Sequence, residues 1–274
     1  MYRRLKDDLF VLFAFASALL AILPIFHILF SVFYNGIPVL AKYGVEFLSG
    51  TLPPPNKAGG GVFPAIYGSL TMIVLSLMLG IPLGVFAGVF IAEYPSSSIS
   101  KAARTVLVII LEFPTILVGL FVMAVMVIPM GRFSAIAGAF ALTIVMLPYV
   151  ATYTEQAIRS VPQHYKEVGF ALGLNRFRIV FSITLRIAKK VFITGLLIGM
   201  AKVSGETAPL IFTAGNVWRS TGALNEPAGA IPLWIYYLVQ QPYSNYHEIA
   251  WGAAVVLLAI FLVIFLSARL MVRS

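Results

Sequence analysis

Residues 64–92 read PAIYGSLTMIVLSLMLGIPLGVFAGVFIA, without one charged side chain. A helix needs about 20 mostly apolar residues to cross a hydrocarbon core of roughly 30 Å, so this stretch is long enough to span a membrane. Similar runs recur at 9–33, 105–128, 133–153, 191–212 and 249–271. The fold expected is therefore an all-α membrane protein with about six transmembrane helices. Composition agrees: 60% of the 274 residues are hydrophobic and 11% are charged, where a soluble domain carries roughly 25% charged residues. With no cysteine in the chain, neither a disulfide framework nor a thiolate metal site can be built from it.

Arg3, Arg4 and Lys6 ahead of the run 9–33 give the N-terminus the outline of a signal peptide. The run is too long for the apolar region of such a peptide and lacks a small-x-small cleavage site, so it is expected to be retained as the first span. With that end inside, the cytoplasmic segments hold Arg3, Arg4, Lys6, Lys101, Arg104, Arg159, Lys166, Arg176, Arg178, Arg186, Lys189, Lys190, Arg269 and Arg273. Lys42, Lys57, Arg132 and Arg219 fall outside, and Lys202 lies within a span. Cytoplasmic excess of Lys and Arg places both termini in the cytoplasm. It also removes most of the force of the net charge of +9 as a sign of nucleic acid or an anionic substrate.

Two external segments are substantial. The first, 34–63, carries Pro53-Pro54-Pro55, expected to be stiff, and Gly59-Gly60-Gly61, expected to be loose. The second, 213–248, carries Trp218, Trp234, Tyr236, Tyr237 and Tyr243; these fit an interfacial aromatic belt, or a re-entrant stretch at 231–239, which is too short to span. Gly80, Gly84 and Gly88, and again Gly195 and Gly199, recur every four residues and predict close helix packing, within the chain or with a partner.

The cytoplasmic segment 154–190 is far longer than a helix connection requires. Pro162 suits a first helical turn, Gly173 the position past a helix end, and Asn175 the cap of a following helix, so a short helix is expected at 163–172. Tyr165, Val168 and Leu172 share one face of it. Such a face suits either a groove on a partner protein or the membrane surface, and the physical features alone leave both open.

Glu167-Val168-Gly169-x3-Gly173-x9-Ile183-x-Leu185 resembles the EAA loop of ABC importer permeases, with Val168-Gly169 in place of the usual small pair and Arg186 where proline is usual. Ser204-Gly205-Glu206-Thr207-Ala208-Pro209-Leu210-Ile211-Phe212-Thr213-Ala214 is similar to a segment of the PstA-type phosphate permeases, as are the stretches 112–121, 47–50 and 65–70. The resemblance implies a type I ABC importer permease fold. It also implies a cytoplasmic coupling helix on which Tyr165, Glu167, Val168, Leu172 and Gly173 engage an ATPase. The domains expected are 1–62, an N-terminal span with its external loop, and 63–271, the permease core with the coupling loop 154–190. The implied partners are a second homologous permease, an ATPase dimer and an external phosphate-binding protein, in the cell membrane. No G-x-x-x-x-G-K-[ST] occurs, so ATP and Mg are expected on the ATPase, with no cofactor in this chain and no hydrolase activity of its own.

Ionisable groups within spans are costly unless paired or facing water, so Lys202, Glu206 and Glu112 are expected to face the bundle interior. Lys202 and Glu206, four apart on one helix face, can neutralise each other. The family resemblance puts Lys202 at a position where a basic residue lines the translocation path. Pro209 is expected to kink or break the fifth span. His27, His164 and His247 show no metal-ligand spacing, and no metal site is expected. The competing reading is an ion-gradient-driven secondary anion transporter, which also uses broken helices and buried charges but leaves the segment 154–190 without a purpose. An embedded enzyme lacks any visible catalytic constellation.

Overall fold

In lipid each backbone N–H and C=O must be satisfied within the protein, which selects helices for the apolar runs. The computed structural model describes residues 2–273, with side chains at 6–267, 269 and 270; the side chains of Arg3, Arg4 and Arg273, counted above among the cytoplasmic cations, lie outside the described residues. The regular structure there is helical: α1 Tyr2–Ser49, α2 Phe63–Glu93, α3 Ser98–Glu112, α4 Thr115–Met130, α5 Ala135–Ser160, α6 Gln163–Ala171, α7 Lys189–Ser204, α8 Ala208–Ile211, α9 Ile231–Leu238 and α10 Ser244–Arg273. Arg176–Arg178, Ile179–Thr184 and Leu185–Ile187 run end to end between α6 and α7, with a π-helical middle.

Helices α1, α2, α5 and α10 are each long and apolar enough to cross a membrane, and α3 with α4 makes a fifth candidate bent by 109°. The third run is thus two helices, not the single span expected at 105–128. Pro114 has no N–H to donate and biases Phe113 out of the helical region, and Phe113 is extended, at φ −77° and ψ 134°. The fifth run is also divided. Helix α7 has 16 residues, about 24 Å at 1.5 Å per residue, and falls short of a full crossing until α8 is added.

Helix α5 is the centre of the bundle, clasped by α2 on one side and α7 on the other. A Cβ on Gly84 would lie 2.7 Å from Val150 Cβ, and one on Gly88 would strike the Ala151 carbonyl. On the α7 side Gly195 lies against Tyr153, and a Cβ on Gly199 would sit 3.0 Å from Met146 Cγ. The four-residue glycine spacing therefore serves packing inside this chain. A second core joins the later part of α1 to α9 and α10 through buried Phe47, Trp234, Ile249 and Ala253. The earlier part of α1 is exposed throughout.

The two segments read from the sequence as external are more ordered than expected. Helix α1 continues to Ser49 with a kink at Gly44, and the turn after it is laced down. Asn245 donates to the Lys57 carbonyl (3.0 Å) and accepts from Asn56 N (3.2 Å), while Tyr246 donates to the Pro53 carbonyl (3.2 Å). Gly61 and Val62 donate to the Thr51 and Phe47 carbonyls at 2.9 and 2.8 Å. The triple glycine is therefore not loose: its last member folds back against the end of α1. Trp234 is not in an interfacial belt but fully buried, with its indole N–H on the Val217 carbonyl (3.2 Å) and its ring 5.0 Å from that of Trp218. The short α9 is a packed segment, anchored where Ile231 N donates to Ser69 Oγ (2.8 Å).

Candidate functional site: two helix breaks and a latched short helix

Irregular backbone at membrane depth is tolerated where it is buried in protein or lines a cavity, so the two breaks mark where to look. One lies at Phe113 and Pro114, between α3 and α4. The other spans Gly205, Glu206 and Thr207, between α7 and α8. Pro209 is not at the break itself: it occupies the first turn of α8, where its missing N–H costs nothing. The breaks face each other. A Cβ on Gly119 of α4 would fall 2.7 Å from Pro209 Cα, so the backbones of α4 and α8 touch there.

The charged pair sits in this junction. Lys202 Nζ lies 2.5 Å from Glu206 Oε1, and Thr115 Oγ1 donates to Glu206 Oε2 at 3.1 Å. Both carboxylate oxygens of Glu206 are thus occupied, and its side chain is only 8% exposed. Lys202 is more open, at 37%, and lines a recess of about 100 Å³ with Phe113, Thr115, Val118, Val145 and Tyr149. At ~30 Å³ per water that is room for a few water molecules. An ammonium has three donors, so Lys202 keeps donors for an anion while Glu206 holds its charge in place. Glu112 does not join them. The end of α3 reaches the recess through Ile110 and Leu111, but the Glu112 side chain is exposed and makes no ion pair with Lys202 among the described residues.

At the opposite end of α7's connection, α6 matches the local chemistry of its sequence. Gly173 stands past its end at φ +75°, a conformation that costs L-residues roughly 1–2 kcal/mol. Asn175 Oδ1 accepts from Arg178 N at 2.9 Å, capping the next helix. Tyr165, Val168 and Leu172 are all exposed, as is Glu167. The inner side of α6 is held by Gly169, buried against Ile179, and by Lys166 Nζ, 2.5 Å from Glu93 Oε1 at the end of α2. Arg176 adds a hydrogen bond to the Glu93 carbonyl (3.5 Å) and lies over the Tyr94 ring. Beside it Glu155 of α5 pairs with Arg104 of α3 and, at 2.8 Å, with Arg159. Sequence reasoning missed Thr115, Glu93 and Glu155, each of which has a partner from a distant segment: Glu206, Lys166 and Arg104.

Helices broken at facing points beside a partly buried ion pair, with a short helix below them exposing an apolar face, are an arrangement that transporters use. The chain belongs to the family of binding-protein-dependent transport system inner membrane components, whose model matches residues 80–274. It is 50% identical, over 97% of its length and 94% of the relative's, to a probable phosphate transport system permease protein PstA of Methanocaldococcus jannaschii. It is 34% identical, over 98% of this chain and 95% of the relative, to a phosphate transport system permease protein PstA of Pasteurella multocida. Among solved structures, a bacterial ABC transporter involved in import of the acidic polysaccharide alginate aligns over 98% of both chains with a TM-score of 0.66 and 20% identity. The inward-facing MetNI methionine ABC transporter aligns over 76% of this chain and 93% of that one, at 0.65 and 17%. The chain therefore has the type I ABC importer permease fold and is a multi-pass membrane protein.

Proposed function

We propose that this chain is a permease subunit of an ATP-driven importer of inorganic phosphate, forming half of the translocation path and hydrolysing nothing itself. The observation that carries this reading is the meeting of two helix breaks at Lys202, Glu206 and Thr115, in a chain whose relatives are named phosphate permeases over nearly their full length. The assembly comprises this chain, a second homologous permease, an ATPase dimer that holds ATP and Mg, and an external phosphate-binding protein. Both termini face the cytoplasm, residues 1–62 form an accessory span and loop, and 63–271 form the core.

A ligand drives a conformational switch only through differential affinity for the two states, and ATP exerts it on the ATPase. The closing ATPase grips α6 through Tyr165, Glu167, Val168 and Leu172, with Gly173 allowing the sharp exit. Displacement then passes by contact: the Lys166–Glu93 pair ties α6 to α2, glycine packing ties α2 to α5, and Gly195 and Gly199 tie α5 to α7. Helix α7 carries Lys202 in its last turn, and the free donors of Lys202 meet the anion as the path opens.

The test is uptake of radiolabelled phosphate by proteoliposomes holding the purified assembly, with ATP inside and phosphate-loaded binding protein outside. Uptake that requires ATP and the binding protein is expected. Uptake without an ATPase, driven by an ion gradient, would overturn the reading in favour of a secondary transporter.

A further inference from the structure

A cavity of about 640 Å³ opens between α7 and α10 at the end of the bundle that α6 occupies, away from the Lys202 recess. Lys189 and Lys190 from the first turn of α7 and Arg269 from α10 line it, together with Thr194, Leu197, Ile198 and Phe265 further along the two helices. None of the three cations pairs with a carboxylate among the described residues. From Lys189 to Ile198 the lining runs about 13 Å along α7 at 1.5 Å per residue, and Phe265 lies one turn deeper than Arg269 on α10. The order is cationic at the membrane surface and apolar toward its middle.

We infer that this cleft binds an anionic phospholipid, with its phosphate among Lys189, Lys190 and Arg269 and an acyl chain along Leu197, Ile198 and Phe265. Basic pockets between transmembrane helices on the cytoplasmic side suit anionic head groups, and unpaired cations near that surface attract them. A free phosphate satisfies the cations but leaves the apolar lining wet, so an amphiphile fits the whole cleft. Because the cleft joins the helix that carries Lys202 to the last helix, an occupant fills a gap along the moving element. The inference does not rest on phosphate as the transported substrate.

The experiment is native mass spectrometry of the purified assembly delipidated in detergent and titrated with phosphatidylglycerol or phosphatidylcholine. Selective retention of phosphatidylglycerol is expected, unchanged by millimolar inorganic phosphate. At about fivefold per cation near the surface, Arg269→Gln should weaken it about fivefold and the triple change K189Q/K190Q/R269Q by well over tenfold. Arg269→Gln alters an exposed side chain and reads out even if the triple variant fails to assemble. Equal retention of the two lipids, undiminished retention in Arg269→Gln, or displacement by inorganic phosphate would each overturn the assignment.

Discussion

At the scale of single residues, the junction turns on Glu206, a carboxylate with both oxygens engaged and almost no exposure. Removing Lys202 strands that charge. A half-exposed partner makes the loss smaller than the 3–5 kcal/mol seen on breaking fully buried pairs, on the order of 1–2 kcal/mol. Lys202→Ala should therefore lower both the melting temperature of the assembly and phosphate uptake. The double variant K202A/E206Q removes the stranded charge while its amide oxygen still accepts from Thr115. It should regain the stability and not the uptake. If the double variant transports like the parent, Lys202 serves insertion alone. Lys202 and Glu206 could be paired from sequence, because four residues on a helix bring side chains together. Thr115 could not: its partner is 91 positions away. Nor could the sequence say that Ile110 and Leu111 would face the recess while Glu112 beside them is exposed.

At the scale of elements, α6 and the α2–α5 contact yield separate expectations. Lys166→Ala leaves the largely buried Glu93 carboxylate without its ion-pair partner and unlatches α6 from α2; Glu167→Ala and Gly173→Pro alter its grip and its exit, the last also deleting the Gly173 N–H bond to the Phe170 carbonyl. In each, ATP hydrolysis by the assembly should persist while uptake per ATP falls several-fold, measured side by side in proteoliposomes; unaltered stoichiometry in all three would remove α6 from the coupling path. Gly88→Ala drives a methyl into the Ala151 carbonyl and should cost about 1–3 kcal/mol of stability. Gly205→Ala, with open space around it, should stay within about 0.5 kcal/mol, and melting curves of the two variants check the contrast. The ends of α6 were legible because Pro162, Gly173 and Asn175 act through local backbone chemistry. The break after α3 was not, because proline alone does not decide: Pro24, Pro38, Pro82 and Pro148 all lie inside continuous helices. The continuation of α1 to Ser49 was hidden by Lys42, Tyr43 and Glu46, polar enough to read as a loop after an apolar run.

At the scale of the whole molecule, α5 is a fulcrum and the rest is arranged by how tightly it is held to it. Helix α2 reaches the α5 backbone at Gly88 and α7 sets Gly195 and Gly199 against α5 side chains, whereas α1 packs through its later part on α9 and α10. Periodicity and glycine spacing predicted this tight packing; which helices were joined required the three-dimensional fold, since one small face serves any partner. The shortness of α7 bears on how the protein is made. Helices α1 and α2 are apolar and long enough to leave the translocon for lipid one at a time. A helix of 16 residues carrying Lys202 is not, for a lone ammonium near mid-membrane opposes its own insertion. It can partition stably only after α4 and α5 are in place to receive it and Glu206 has emerged to neutralise it. Biogenesis of this chain is therefore sequential at its later end, where α7 matures on a surface that the earlier helices have already assembled.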